Sequence, residues 1–366
     1  MSAPEPIRRS IEVEYWVVDD SGRLTGADGL TEAGPGVERE FVEPLLEIKT
    51  DPCATTDVLR EQLLDRIRRA LRLADERGER LVPLATPLDY GDVRDRPSER
   101  TNVQDRVLGT DFEYVRHCAG THIHVEQQPG CVVDQYNTFV ALDPALALVN
   151  SAPHFRGRPL ATGARSQLYR RLAYECLPGQ GQLWPYLDAR EEWNARLQDR
   201  YESFVAAAAD AGVDRATVED NFDPESAVWT PVQLRDSFGT VEWRSPDTAL
   251  PGDVLRLADR LASAVETLRS ADVRIEGDRG SFSAEEVVLP TFDAVREYVD
   301  TAIQDGLSAT ALESYLDRMG FDVAAYEPIA HQLEVQKSVT RDEARRLRLA
   351  YADRLEHAVR RTSYAD

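Results

Sequence analysis

Lysine is almost absent: Lys49 and Lys337 are the only two in 366 residues, so arginine supplies nearly every cation. Phosphate or carboxylate groups would then be held mainly by guanidinium forks, whose planar geometry matches those anions at two points. Cysteine is scarce too. Cys53, Cys118, Cys131 and Cys176 form no Cys-x-x-Cys pair and are too sparse for a disulfide framework in a chain of this length, which points to reduced thiols and a cytoplasmic location. Long apolar runs are missing, the longest being cut by Asp143 or Asp210 well short of the ~20 residues that span a bilayer. No charged-then-apolar leader precedes the first strand pattern, so no membrane partner is expected. There is no Gly-x-Gly-x-x-Gly after a strand, no Walker loop and no internal repeat.

Positive charge is also outnumbered, with 43 basic against 65 acidic residues and a net charge of -22. That balance excludes a surface built for nucleic acid or anionic lipid. The acids are spread along the whole chain, as in proteins adapted to high salt, whose acidic surfaces would repel themselves once screening weakens. A hydrophobic content of 42% with strong local periodicity can still fill a core, so the chain folds. A small anionic substrate remains compatible with this charge if metal ions and local arginines reverse the sign inside one pocket.

What the chain does have is a set of short strand patterns carrying charged residues at alternate positions. Ile11 to Val18 reads Ile-Glu-Val-Glu-Tyr-Trp-Val-Val. Successive strand side chains point to opposite faces, so Glu12 and Glu14 share one face while Ile11, Val13 and Tyr15 take the other. Two carboxylates then lie within reach of one metal ion, although an acidic wet face on an edge strand reads the same way. The pattern recurs. On a strand from Leu45 to Thr50, Glu47 and Lys49 face one way and Leu46 and Ile48 the other; Glu40, Glu43 and Glu47 meet only if the chain bends near Pro44. Cys118 to Gln127 places His122, His124 and Glu126 on one face, as structural residues or as ligands to metal or phosphate. Thr240 to Arg244 places Glu242 and Arg244 on one face, with Glu242 flanked by Val241 and Trp243, as an exposed ion pair or as a buried charged pair with a function. The four segments are expected to form a sheet whose polar face collects ligands for a hard cation.

Between these strands lie helical patterns. Thr55, Thr56 and Asp57 cap a helix through Leu59, Leu63, Ile67 and Leu71 that Gly78 stops. Leu81 to Thr86 reads as a short strand, Asp89 to Gly109 as a long surface connection, and Tyr136 to Val149 and Leu187 to Ala211 as helices. Arg156, Arg158, Arg165, Arg170 and Arg171 form the densest basic cluster before the carboxyl terminus, either solvated or aimed at phosphate and carboxylate groups. From Gly252 onward the pattern is nearly all helical, with Thr340 and Glu343 forming a capping box before the last helix. We expect one catalytic domain over residues 1–366, with a sheet-based core at 1–265 and a mostly helical region at 266–366.

Together these motifs resemble the glutamate-cysteine ligase type 2 family of carboxylate-amine ligases, most closely its form in extremely halophilic archaea. The resemblance runs from about residue 8 to about residue 265. Its marks are Glu12-Val-Glu14, the Glu40 to Glu47 segment ending in Lys-Thr, Cys118-Ala-Gly-Thr-His-Ile-His-Val, Ser151-Ala-Pro followed by Thr162-Gly163, Trp229 to Arg235, and Val241-Glu-Trp-Arg244.

The resemblance implies an α+β fold: a curved antiparallel sheet with helices packed behind it, similar to the core of glutamine synthetase, binding ATP and Mg2+ on the concave face. It implies metal ligands at Glu12, Glu14, Glu40, Glu47, His122 and Glu242, catalytic contacts at Arg235 and Arg244, and nucleotide contacts at Arg165, Arg170 and His124. The implied substrates are glutamate, cysteine and ATP, joined through a γ-glutamyl phosphate to give γ-glutamylcysteine; a different amine acceptor and a non-enzymatic binding protein are the rivals. Oligomeric state is left open, a homo-oligomer included. Two departures stand out. Leu168 occupies the place of the family's arginine in its Ser-x-Arg, where Arg165 or Arg170 is the substitute, and Thr86-Pro87 stands where bacterial relatives carry His-Pro.

Overall fold

A computed structural model describes residues 5–91 and 93–361. Its strands are β1 (Arg9–Asp19), β2 (Val37–Arg39), β3 (Leu45–Lys49), β4 (Glu79–Val82), β5 (Thr121–Glu126), β6 (His154–Phe155), β7 (Arg158–Pro159), β8 (Val232–Arg235), β9 (Thr240–Trp243), β10 (Asp272–Ile275), β11 (Ser281–Phe282) and β12 (Glu286–Leu289). The helices are α1 (Thr56–Glu76), α2 (Glu99–Leu108), α3 (Glu113–Arg116), α4 (Val132–Leu142), α5 (Ala164–Gln167), α6 (Arg190–Asp210), α7 (Arg215–Asn221), α8 (Pro224–Ala227), α9 (Pro251–Leu268), α10 (Phe292–Gln304), α11 (Thr310–Arg318) and α12 (Arg341–Arg361). None of them, among the described residues, is long and apolar enough to cross a membrane.

The central element is an open antiparallel sheet in the order β2-β3-β1-β5-β9-β8, with β4 pairing to the far half of β1. One face carries Ile11, Val13, Tyr15 and Val17 of β1 with Ile48, Ile123, Val125, Val241 and Trp243, all fully buried. That face packs on α1, α4 and α9. At about 25 cal/mol per Å2 of apolar surface removed from water, each large side chain there contributes roughly 1.5–3 kcal/mol.

The other face changes character along β1. Its first half presents Glu12 and Glu14, but Trp16 and Val18 continue the same alternation and are fully buried in a second apolar cluster. That cluster is completed by Leu84, Leu88, Ile329, Leu333 and Tyr351, the last from α12. The C-terminal helix thus seals one end of the polar face and leaves the Glu12–Glu14 end open.

Several elements depart from the sequence expectation. The connection from 89 to 109 contains α2, whose N-cap Ser98 accepts from the Thr101 amide at 3.0 Å and which buries Val103 and Leu108 under a polar exterior. The helix expected over Tyr136 to Val149 starts earlier, at Val132, and ends at Leu142. Pro144 has no amide to donate, and the chain goes on as 3-10 turns over Asp143–Val149. The strand expected over Leu81 to Thr86 is shorter, running from Glu79 to Val82. The region after Gly252 is not all helical either. β10, β12 and β11 form a small three-stranded sheet in which Val287 and Leu289 are fully buried; the β-branched Val287 suits a pleated surface.

Candidate active site

Strand register decides which charges meet. Glu12 lies opposite His122 on β5 and Lys49 on β3, Glu14 opposite Glu47, and His124 opposite Glu242 on β9. Four separate stretches of sequence therefore deliver their polar residues to one face. They open into a cavity of about 530 Å3, within the range of small-molecule sites.

Three ligand-capable groups form there. Glu12, His124 and Glu242 each offer one donor atom within 4.8 Å of the others, as do Glu12, Glu47 and His122, and Glu14, Glu40 and Glu47. His122 Nδ1 sits 3.3 Å from a Glu12 oxygen and 3.4 Å from a Glu242 oxygen. Thr240 Oγ1 engages His124 Nδ1 at 3.1 Å, whereas His124 Nε2 is buried without a partner, 3.7 Å from Glu242. An imidazole held through one nitrogen with the other unpaired among carboxylates has the arrangement of a metal ligand.

The electrostatics divide the cavity. Burial, then the like charges of Glu14 and Glu47, push the Glu40 carboxyl well above its ordinary value. Burial and the charge of Glu12 push Glu47 up to about 8, even though Lys49 Nζ lies 2.7 Å away. These are carboxylates crowded beyond what one lysine offsets, and a hard divalent cation with oxygen ligands fits them.

At the other end the sign reverses. Burial alone would raise Glu242, but the charges of Arg244 and His124 outweigh it and hold the carboxyl down at about 2. Arg244 Nη1 donates to it at 2.8 Å and Arg235 Nη1 at 3.0 Å. Burial alone would raise Glu12 too, but the hydrogen bond with His122 and the proximity of the two imidazoles outweigh it and hold the carboxyl below the ordinary range. Burial, together with the Arg244 charge, lowers His122 despite the opposing pull of Glu12 and Glu242, which favours the neutral ring that a metal ligand needs.

Arg165 enters the cavity from α5 and donates to the backbone carbonyls of Arg244 and Ser245 at 3.2 and 3.1 Å. It passes directly over Gly120. A Cβ at that glycine would lie 2.2 Å from Arg165 Nη2, which accounts for the glycine of the Cys-Ala-Gly-Thr run. The same glycine's amide donates to Glu14 at 2.6 Å and so fixes that carboxylate.

Of the eleven residues singled out from sequence, ten line the cavity: Glu12, Glu14, Glu40, Glu47, His122, His124, Arg165, Arg235, Glu242 and Arg244. Arg170 does not. It lies within a π-turn at Leu168–Leu172 and forms a buried two-pronged pair with Asp143 at 2.6 and 3.2 Å, behind the sheet. Asp143 also accepts from Trp243 Nε1 and Ser245 Oγ, the residues on either side of Arg244. Glu43 points away to Arg94, and Glu126 pairs with Arg8 outside the cavity. Thr86 lies outside it too, fully buried and donating to the His154 carbonyl at 2.5 Å.

Sequence reasoning did not assign Lys49, Gly120, Tyr169 or Trp229, all of which the site uses. Lys49 carried a signal by sharing Glu47's face, and Gly120 and Trp229 by standing in the marks of the resemblance; Tyr169 carried none. Trp229 stacks on Tyr169 with centroids 6.0 Å apart, and Arg165 lies 5.8 Å over the Tyr169 ring, giving the cavity one aromatic wall.

The family model of glutamate-cysteine ligase family 2 matches residues 10–358. A Paenarthrobacter aurescens (strain TC1) protein, whose own name of glutamate–cysteine ligase 2-1 is provisional, is 24% identical over 265 residues, covering 69% of this chain and 61% of the relative. Two solved structures share the fold. The glutamate–cysteine ligase of Francisella tularensis in complex with AMP matches with a TM-score of 0.55 and 13% identity, over 98% of this chain and 89% of that one. A bifunctional glutathione synthetase from Pasteurella multocida matches with a TM-score of 0.54 and 15% identity, over 97% of this chain but 53% of that one. The chain thus spans 61% of the length of the Paenarthrobacter relative and 53% of that of the Pasteurella enzyme.

Proposed function

The chain belongs to glutamate-cysteine ligase family 2, and on that premise we propose that it is an ATP- and Mg2+-dependent carboxylate–amine ligase. The reaction joins the γ-carboxylate of glutamate to the amine of cysteine through a γ-glutamyl phosphate, releasing ADP and phosphate. The observation that carries the reading is the convergence of Glu12, Glu14, Glu40, Glu47, Glu242, His122 and His124 with Arg165, Arg235 and Arg244 on one cavity. The relative named as a glutamate–cysteine ligase and the AMP complex of the Francisella enzyme support it.

A carboxylate is a poor electrophile until phosphorylated, and phosphoryl transfer needs positioning and charge neutralisation rather than covalent help. Glu12, Glu242 and the imidazoles form one ligand set, and Glu14, Glu40 and Glu47 another. Magnesium bound to them would neutralise phosphate charge and align the transfer. Arg244 and Arg235, already anchored on Glu242, present their remaining donors to the phosphate or the substrate carboxylate. Arg165, held by carbonyls instead of a carboxylate, keeps its charge available to an anion and takes the place of the arginine replaced by Leu168. The cytoplasm is the matching compartment, since free thiols are required of the substrate.

Release of ADP with glutamate and Mg2+, with and without cysteine, tests the proposal. The expected result is cysteine-dependent ADP formation with a thiol dipeptide product. ADP release that ignores cysteine but responds to another amine keeps the ligase and replaces the acceptor; no amine-dependent ADP release removes the proposal.

A further inference from the structure

Among the described residues only Val58, Phe238 and Ile275 are large hydrophobic side chains left exposed, and of these only Phe238 lines the cavity. Phe238 is 63% exposed. It sits at the tip of the β8–β9 hairpin, the element that also carries Arg235 and Glu242. In a chain with so acidic a surface, this apolar ring stands largely in water at the mouth of a charged cavity.

The tip is rigid. Glu225 clamps it by accepting from the Asp236 amide at 2.8 Å, Ser237 Oγ at 2.6 Å and Arg235 Nε at 3.3 Å. Arg190 pairs with Asp236 from the other side, and the Gly239 carbonyl accepts the Gln127 amide at 2.8 Å. Gly239 has φ +64, a conformation that closes the tight turn and that other residues adopt only with strain. Everything in this turn except the Phe238 ring is tied down.

That ring touches two cavity groups. The Arg235 guanidinium lies 5.0 Å over it, and His124 meets it edge-on at 5.9 Å. It therefore adjoins the cation-rich end, where Arg235 and Arg244 converge on Glu242, and not the crowded acids Glu14, Glu40 and Glu47. A planar, uncharged group attached to a polyphosphate would place its phosphates among those arginines and its plane against the phenyl ring.

Resting on the ligase reading above, we propose that Phe238 is the stacking platform for the nucleotide's base. The nucleotide then enters with its base at the β8–β9 turn and its phosphates directed inward to Arg235, Arg244 and Glu242, and the amino-acid substrates occupy the Glu40 end. Stacking on one aromatic ring is tolerant of base identity, because every base has a π-face. The platform supplies affinity for the base without choosing adenine over guanine.

Equilibrium binding of AMP, GMP and tripolyphosphate to the full chain tests this. Replacing Phe238→Ala should weaken AMP and GMP alike by about tenfold, the scale of one base–aromatic stack, and leave tripolyphosphate unchanged. Phe238→Trp should restore nucleotide binding. If wild type releases ADP but Phe238→Ala binds AMP as tightly as wild type, the platform falls and the ligase reading stands. If wild type binds no nucleotide, both fall. A variant that binds AMP normally but shifts the oligomeric state overturns the platform by showing that the ring covers a subunit contact instead.

Discussion

Two arginine–carboxylate pairs flank Trp243, and they do opposite jobs. Arg244 and Glu242 meet at 2.8 Å in the cavity, where Glu242 also receives Arg235 and faces both imidazoles. Arg170 and Asp143 meet at 2.6 Å on the other side of the strand, with side chains 3% and 0% exposed and every visible partner internal. The first pair has donors left over for a ligand; the second has spent its donors on the protein. By accepting from Trp243 Nε1 and Ser245 Oγ, Asp143 holds the side chains on both sides of Arg244. The sealed pair is the mount for the open one.

Breaking each pair should separate these roles. Arg244→Met removes a preorganised cation from the cavity while Glu242 keeps Arg235 and the histidines. Turnover should fall by on the order of 10²–10³, the cost of losing one such group, with little change in thermal midpoint. Single-turnover ADP formation alongside a melting curve measures both. Arg170→Met leaves Asp143 buried with its charge uncompensated, a loss of about 3–5 kcal/mol. Urea unfolding should show that loss, while turnover per folded molecule should fall less than in Arg244→Met. Equal stability losses in the two variants would erase the distinction.

A pH-dependent effect is read through a different buried carboxyl, Asp247, which accepts the Ser151 amide at 2.8 Å. Burial raises this carboxyl from 3.8 to about 7 despite the nearby Arg165 charge. The folded state thus holds the proton more tightly than the unfolded chain. The associated stability is complete below the unfolded value near pH 4 and is lost as pH rises through about 7. Asp247→Asn keeps an acceptor oxygen without the titration. The stability of wild type relative to this variant should decline between pH 4 and pH 7, and a difference that is flat across that range would show an unperturbed carboxyl.

The sequence made the polar face legible because a strand's period of two is rigid: once Ile11 and Val13 face the core, Glu12 and Glu14 cannot. The same logic placed His122, His124, Glu47, Glu242 and Arg244. Arg170 was misplaced because it lies on a turn whose facing depends on what packs against it, and its partner Asp143 sits in what reads as an apolar helix. Glu43 and Glu126 share spacing with true cavity residues, and only the bend at Pro44 and the length of β5 exclude them. The three-stranded sheet at 272–289 escaped notice because its strands are two to four residues long, too short for a period to show. Phe238 carried no signal at all, since its exposure is a tertiary fact.

The central claim is that carboxylates far apart in sequence act as one metal-binding face. A magnesium titration of ADP release by wild type, Glu12→Gln and Glu242→Gln tests it most directly, because Gln keeps the size of each side chain and removes only its charge. The account predicts that both variants stay folded, that turnover collapses, and that residual activity needs more magnesium. Near-native turnover with an unchanged magnesium midpoint in either variant would contradict it.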